Sequence, residues 1–545
     1  MSRLGRFWWL VRTLIRSGMI APLRPDKYLR MAAAIRRQGM TAMTGISLAA
    51  VRRPHATALI DERGSLTWAQ LEARTNAVAA GIASLVHGRA ETVAILCRNH
   101  RGFVEALSAT AKLGADALLL NTGFSAPQLT DVLVREKANM IVYDEEFAPL
   151  VEQARQQADD LVEILAWTEG RTGLTNGLTH GVTTLDDLIE AHLGSAPGRP
   201  STTGRTVLLT SGTTGTPKGA RRSGGGGVGA LAAMLDRIPW QTEQTTVVAA
   251  PMFHAWGFGQ LAFSATMTCT VVMRRRFDPE ATLDLVDRHQ ATGLAVVPVM
   301  LERIVDLPEE VLERYSLSSL RFVTASGSRM RPDAVTRFMD VFGDIVYNSY
   351  NATEAGLISA ATPADLRAAP DTAGRPVVGT ELRIVDDEGR DVSAGQVGRI
   401  TVLSDSQFEG YTGGETNLFN ESYMVSGDLG RRDGQGRLFV VGRDDEMIVS
   451  GGENVYPLEV EETLNAHSAV REAAVIGVDD DDFGQRLAAF VVLQPGHDAT
   501  PDDLKEHVKG RLAGYKVPRD MTVLDELPRN ATGKVVKRAL DDDYE

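Results

Sequence analysis

The sequence predicts an α/β protein: a large N-terminal body of two parallel-type αβ subdomains plus a small β-rich subdomain, followed by an α+β C-terminal domain. Three observations carry that prediction. Short apolar runs alternate with amphipathic helical stretches in two successive series, about residues 56–166 and 206–346, and such alternation builds a mostly parallel sheet covered by helices. From about residue 380 the texture changes to short strands punctuated by Asp-Glu-Gly and Asp-Gly turns, as in ELRIVDDEGR and RRDGQGRLFVVGR. Beyond Arg443 enough chain remains for a separate small domain. The expected boundaries are 1–53 for a basic N-terminal segment, 54–443 for the body with its β-rich part at about 375–443, and 444–545 for the C-terminal domain.

In the first series Val93–Cys97, Ala117–Leu120 and Met140–Tyr143 read as strands, and Arg101–Leu113 reads as a helix. A polar stretch at 169–205 reads as helix and loop. The second series supplies strands at Thr246–Ala250, Cys269–Met273, Leu294–Val297 and Arg321–Thr324. In the C-terminal domain, helices are expected at Leu458–Leu464 and Pro501–Leu512, with strands at Ala473–Val478 and Leu487–Leu493.

Hydrophobic residues at 43% and charged residues at 23% exclude a disordered or collagen-like chain. The only cysteines, Cys97 and Cys269, sit in apolar runs without a partner at metal-ligand spacing, so buried thiols in a reducing, cytoplasmic setting are expected. Charge is unevenly placed. Residues 1–53 carry eleven basic side chains against Asp26 alone, a net of +10 that leaves −24 on the rest of a chain totalling −14. An acidic body excludes nucleic acid as the main partner, because phosphate contacts need clustered Lys and Arg. The run Phe7–Val11 is too short for a signal-peptide core or a membrane span. At 100° per residue Leu4, Phe7, Trp8, Leu10, Val11, Leu14 and Ile15 share one arc, with Arg6, Arg12 and Arg16 outside it. Two expectations follow for residues 1–20: peripheral contact with the cytoplasmic face of a membrane, or a helix packed on the body.

The most informative string is Thr210-Ser211-Gly212-Thr213-Thr214-Gly215-Thr216-Pro217-Lys218-Gly219, directly after the strand-like run Thr206–Leu209. Its glycines let backbone N–H groups approach an anion, its hydroxyls donate to phosphate oxygens, and Lys218 adds a full positive charge. Proline at 217, where a Walker A loop has its second glycine, excludes that class of phosphate loop. No strand is expected before a Gly-x-Gly-x-x-Gly match at 224–229, which argues against a dinucleotide fingerprint there.

Further strings follow in order: Pro251-Met252-Phe253-His254-Ala255-Trp256-Gly257, Tyr350-Asn351-Ala352-Thr353-Glu354, Ser426-Gly427-Asp428, Gly442-Arg443-Asp444-Asp445, Ser450-Gly451-Gly452-Glu453-Asn454-Val455-Tyr456-Pro457 and Thr532-Gly533-Lys534. Together with the phosphate loop, over about residues 55–540, they resemble the adenylate-forming superfamily of acyl-CoA synthetases, peptide-synthetase adenylation domains and luciferases. Among its members the chain looks most like bacterial fatty acyl-CoA synthetases. Three features depart from the family pattern: Asn351 stands where glycine is usual, Ser426 where threonine is usual, and a glycine run follows Arg222.

The resemblance implies ATP-dependent conversion of a medium- or long-chain fatty acid to acyl-AMP and pyrophosphate, then transfer to coenzyme A. Lys534 matches the lysine that bridges the substrate carboxylate and the α-phosphate; alone, it would be a surface lysine. His254 matches a residue lining the way between acyl and pantetheine sites, and is assigned with Lys534 to catalysis. For ATP the resemblance implies Thr210, Ser211, Gly212, Thr213, Thr214, Gly215 and Lys218 at the phosphates, and Tyr350 and Ser326-Gly327-Ser328 about adenine. Asn351 and Thr353 lie in the same string, while Asp428 and Arg443 are placed at ribose or phosphate. Glu354 and Thr210 are implied as Mg2+ ligands, Asp445 as the hinge of a rotating C-terminal domain, and Gly451, Gly452 and Glu453 as the coenzyme A passage. The implied acyl pocket includes Trp256, Gly257, Val299 and Gly356. Pro251–Gln260 contains no acidic residue to meet an amino group, which argues against amino-acid activation. Two alternatives stay open: an acyl-AMP ligase loading a carrier protein, and an inactive membrane-associated fatty-acid or nucleotide-binding protein.

Overall fold

A computed structural model describes residues 3–86, 91–157, 161–169, 181–210, 218–222, 227–352, 354–404, 419–420, 422–450, 453–480 and 484–542. The chain folds into two compact units. The first comprises Met1–Pro370, Val377–Thr380 and Ser404–Asn417, and the second comprises Asp371–Pro376, Glu381–Leu403 and Leu418–Glu545.

Two sheets organise the first unit. One has seven strands in the order Thr183–Thr184, Val162–Trp167, Met140–Asp144, Thr92–Leu96, Asp116–Leu119, Thr206–Thr210 and Lys218–Arg222. All its pairings are parallel except the last, where Thr206–Thr210 and Lys218–Arg222 form an antiparallel ladder. To the other sheet this unit contributes Gly356–Ala361, Val346–Ala352, Phe322–Ala325, Gly293–Val296, Thr245–Val248, Thr270–Val272, Thr57–Asp61 and Gly64–Thr67, in that spatial order. Its centre is parallel and its two outer pairs here are antiparallel. The apolar runs form strands as expected: Val93–Leu96 and Leu294–Val296 are completely buried, as parallel strands covered on both faces must be.

Helix Arg101–Leu113 begins where the His100 ring accepts from the Gly102 N–H at 3.0 Å. Its first residue ties it to the second sheet. The Arg101 guanidinium meets the buried Asp61 carboxylate at 2.5 Å, and the Arg101 N–H donates to the same group at 2.9 Å. An ion pair in this setting stays favourable because its hydrogen bonds replace lost hydration. Trp68, Phe103, Leu107, Val248 and Leu261 belong to one core that runs between the two sheets.

Cys97, His100 and Asp144 place three ligand-type atoms within 4.8 Å, and all three residues are buried. Their chemistry is structural. With Nδ1 accepting from Gly102, the His100 Nε2–H donates to Asp144 at 2.7 Å, and the other Asp144 oxygen accepts the Arg98 N–H at 3.0 Å. Burial, reinforced by Asp144, pushes the Cys97 thiol well above its ordinary range, which disfavours the thiolate a metal needs. Cys269 is likewise buried, and desolvation pushes it up to about 12.

The second unit holds two further sheets. In one, Thr380–Val385, Gly398–Ser404, Tyr423–Arg432 and Phe419–Asn420 are neighbours in that order, and Leu438–Arg443 pairs with Tyr423–Arg432. In the other, the order is Glu453–Val455, Ile448–Ser450, Gly484–Leu493 and Val470–Asp480, with Asp520–Leu524 joining Gly484–Leu493 in parallel. The hairpin of Val470–Asp480 with Gly484–Leu493 is longer than its apolar cores at 473–478 and 487–493 suggest, because the ladder continues through polar Asp479 and Gln485. Helices Pro457–Asn465 and Pro501–Lys509 bury Val460, Leu464, Leu504 and Val508 against it.

Candidate active site

In the second sheet the adjacent strands Thr245–Val248, Gly293–Val296, Phe322–Ala325 and Val346–Ala352 are parallel, so the segments leaving their C-terminal ends emerge along one edge. Those segments carry His254, Trp256 and Gly257, then Val299, then Ser326-Gly327-Ser328, then Glu354 and Gly356, with Tyr350 and Asn351 in the last turns of strand. Carboxyl ends of parallel strands are where open α/β sheets bind ligands, since diverging loops leave a crevice there.

Hydrogen bonds lock the edge together. Ala250 N–H donates to Ala295 O at 3.1 Å, and the Trp256 indole N–H donates to Val296 O at 2.9 Å. Asn351 Nδ2 donates to Ser326 Oγ at 2.8 Å, joining the turn after one strand to the end of the next. The asparagine that departs from the family pattern thus braces the turn expected to flank adenine. Trp256, Val297, Met300, Ala325 and Met330 share one apolar cluster along this edge.

His254 stands immediately before helix Ala255–Thr266 as its N-cap, in extended backbone conformation. The bend between strand and helix is tight: a Cβ on Gly257 would lie 2.1 Å from Pro251 O and 2.7 Å from Ala250 O. Backbone atoms cannot yield without moving His254, so Gly257→Ala should destabilise the unit by about 1–3 kcal/mol. Gly259, on the same helix, faces open space, and Gly259→Ala should be neutral or slightly stabilising. Thermal denaturation of the two variants side by side checks this, and equal melting temperatures would refute it.

The sequence reading missed Asn99. Buried after strand Thr92–Leu96, its amide donates to Ala250 O at 2.9 Å and accepts from the Met252 N–H at 2.8 Å. It therefore holds the segment leading to His254, linking the first sheet to the second. No motif marks it, and only the contact reveals it. Strand Lys218–Arg222 was also missed; it overturns the expectation that no strand precedes the glycine match at 224–229, but it runs antiparallel to Thr206–Thr210, unlike the parallel strand that opens a dinucleotide-binding unit. The antiparallel ladder with Thr206–Thr210 sets the backbones of Thr210 and Lys218 opposite each other. Ser211, Gly212, Thr213, Thr214, Gly215, Thr353, Gly451 and Gly452 lie outside the described residues.

In the second unit, Asp428 and Arg443 face each other in register on neighbouring strands. Arg443 Nη1 lies 3.4 Å from Asp428 Oδ1, while its Nε and Nη2 reach Asp445 at 3.0 and 3.3 Å. One guanidinium thus joins the carboxylate expected at ribose to the residue expected at the hinge. Burial alone would lower the Arg443 pKa, but the bond to Asp445 and the charges of Asp428 and Asp445 raise it well above the ordinary value. Ser426 fills the threonine position with the same hydroxyl chemistry: it donates to Ile400 O at 3.0 Å and accepts the Asp428 N–H at 3.1 Å. Glu453 begins strand Glu453–Val455, paired with Ile448–Ser450.

Lys534 closes a turn braced by one side chain. Asn530 Oδ1 accepts from the N–H groups of Thr532 and Lys534, each at 3.0 Å, and from the Thr532 hydroxyl at 2.6 Å. Gly533 takes φ +83°, open to glycine at little cost, and its carbonyl accepts from Arg529 at 2.7 Å. Any displacement of Lys534 therefore carries the whole turn.

Parallel strands whose carboxyl ends carry the candidate residues of the first unit, and a second unit that carries Asp428, Arg443 and Lys534, fit the class of AMP-binding enzymes. The chain belongs to that family: the AMP-binding enzyme model matches residues 46–412, and the AMP-binding enzyme C-terminal domain matches residues 459–534. It is an adenylate-forming protein. The chain is 31% identical over 492 residues to an indoleacetate–CoA ligase of Aromatoleum aromaticum, covering 89% of this chain and 94% of that protein. It is 29% identical over 525 residues to the fatty acid–[acyl-carrier-protein] ligase ScoC of Streptomyces coeruleorubidus, covering 93% and 97%. Among solved structures it is similar to o-succinylbenzoate CoA synthetase of Bacillus subtilis in complex with its acyl-adenylate intermediate, with TM-score 0.75, 28% identity and coverage of 91% and 98%.

Proposed function

We propose that this protein is a fatty acid–CoA ligase of the AMP-forming type. The observation that carries the reading is the apolar character of the carboxyl edge of the second sheet, where Trp256, Val297, Met300 and Met330 are buried together in one aliphatic and aromatic cluster. An aliphatic tail gains about 25 cal/mol per Å2 on leaving water for such a wall. The similarity to acid–thiol ligases supports the same reaction class.

In the first half-reaction a carboxylate oxygen bonds to the α-phosphorus of ATP and the bond to pyrophosphate breaks. In the second, the thiol of coenzyme A adds to the acyl carbonyl, loses its proton, and AMP leaves. The first step brings two anions together. At 4 Å and an effective dielectric near 20 their repulsion is about 4 kcal/mol. Lys534 is the group proposed to offset it, with Lys218 at the outer phosphates. Asp428 accepts from the ribose hydroxyls and Arg443 stays cationic beside it. The half-buried carboxylate of Glu354, in the turn between Val346–Ala352 and Gly356–Ala361, is a hard oxygen donor of the kind Mg2+ takes. With Thr210 it would hold that ion, which neutralises phosphate charge when bound.

The test is acid-dependent AMP release with coenzyme A across straight-chain acids from C4 to C20 and a set of aryl acids. Release that rises with tail length supports the proposal. Preference for aryl acids would instead support the reading suggested by the 31% identical indoleacetate–CoA ligase. Activity only with a carrier-protein thiol would support the one suggested by ScoC. No adenylate with any acid would leave an inactive binding protein.

A further inference from the structure

We propose that the N-terminal helix docks this protein onto an anionic lipid bilayer. Among the described residues no helix is long and apolar enough to cross a membrane, so the contact is peripheral. Helix Arg3–Arg16 divides its apolar surface in two. Leu10 and Leu14 pack with Leu235, Ile238, Trp240, Phe263 and Met267 of the body, and Thr13 and Ser17 are buried beside them. Those positions take up about 100° of the helix circumference. The adjoining sector is turned outward: Leu4, Phe7, Trp8 and Ile15 are 69, 55, 63 and 55% exposed. The Phe7 and Trp8 rings lie edge to face with centroids 5.9 Å apart. The membrane and packed-helix expectations are thus compatible, since one sector fixes the helix and leaves the other outward.

The surrounding charge selects the occupant. Arg12 and Arg16 border the exposed apolar sector on the side away from the docked face, and both are exposed. The next helix, Pro25–Gln38, has no buried residue; it exposes Leu29 at 74% together with Arg30 and Arg36. Aromatic and aliphatic side chains beside arginines are the chemistry of the lipid headgroup boundary, where each cation adds about fivefold to affinity on an anionic surface. The segment 1–53 carries +10 and the remainder −24, so an anionic bilayer attracts the head and repels the body. The same charge opposes pairing of two such heads in a dimer. The helix is held firmly enough to orient the chain. Arg52 donates to Gly18 O at 3.0 Å and to Glu243 at 2.9 Å, fixing the turn after the helix to the body.

The experiment is flotation of the full chain with vesicles of phosphatidylcholine alone and of phosphatidylcholine with about one-third phosphatidylglycerol. Wild type should float with the anionic vesicles and bind neutral ones at least about tenfold more weakly. The double variant Phe7→Glu, Trp8→Glu touches only exposed positions, so its melting temperature and its acid-dependent AMP release without vesicles should match wild type. Its affinity for anionic vesicles should fall about tenfold or more. Arg12→Glu, Arg16→Glu should weaken binding similarly, and added salt should weaken wild type. The proposal is overturned by absent flotation, by equal binding to both vesicle types, or by a Phe7→Glu, Trp8→Glu variant that floats like wild type. A dimer in sedimentation that this variant dissolves, with vesicle binding unchanged, would assign the face to a second copy instead.

Discussion

Replacing Lys534 by alanine is expected to slow acyl-adenylate formation by about two to three orders of magnitude, the loss typical of removing one preorganised charge-stabilising donor. Pyrophosphate exchange reads the first half-reaction directly. Thioester formation from a supplied acyl-adenylate should stay within about threefold of wild type, because the charge conflict that Lys534 is proposed to offset exists only while a carboxylate approaches phosphate. The turn is held by Asn530 and Arg529 through backbone groups and Thr532, none of which involves the Lys534 ammonium. Unchanged exchange in Lys534→Ala would remove the lysine from the chemistry, and equal loss of both half-reactions would point to a folding role. Lys534→Arg, which keeps charge but changes reach and donor geometry, should fall between the two.

Much of the fold was legible because its signals are local. Apolar runs bounded by turn residues specify buried parallel strands, and nearly every expected strand appears within a few residues of its reading. The edge carrying His254, Ser326 and Glu354 was legible as separate strings, since each follows a strand. What the sequence hides is lateral. Asn99 acts on a segment 151 residues away, and nothing in Arg98-Asn99-His100 announces that contact. The Asn351 bond to Ser326 spans 25 residues and turns a departure from the family pattern into a brace. Periodicity placed Leu10 and Phe7 on one helical arc but could not divide it, because which part docks depends on Trp240 and Phe263 more than two hundred residues away.

The coupling of Asp428, Arg443 and Asp445 was equally hidden, and it shapes the second large prediction. Asp445 lies in the 3-10 turn Asp444–Glu446 between Leu438–Arg443 and Ile448–Ser450, and we propose it as the pivot between half-reactions. Its neighbours are tethered: Asp444 to Arg399 at 2.9 Å, and Glu446 to Lys537 at 3.0 Å. Asp445→Pro acts twice. It deletes the carboxylate that engages Arg443, and it pushes Asp444 out of the helical backbone region, because the ring of a proline crowds the residue before it. Asp445→Ala does only the first. If the turn must adopt two arrangements in each cycle, the proline variant should change the ratio of the two half-reaction rates by about tenfold or more. The alanine variant should change it by no more than about threefold, since it loses one partly exposed ion pair. Adenylate formation and thioesterification, measured separately in each variant, give that ratio. Equal slowing of both steps by Asp445→Pro would mean that the turn holds the unit together without pivoting. Matching ratios in the two variants would place the effect in the Arg443 contact, and so in ribose binding through Asp428, which lies 3.4 Å from the same guanidinium.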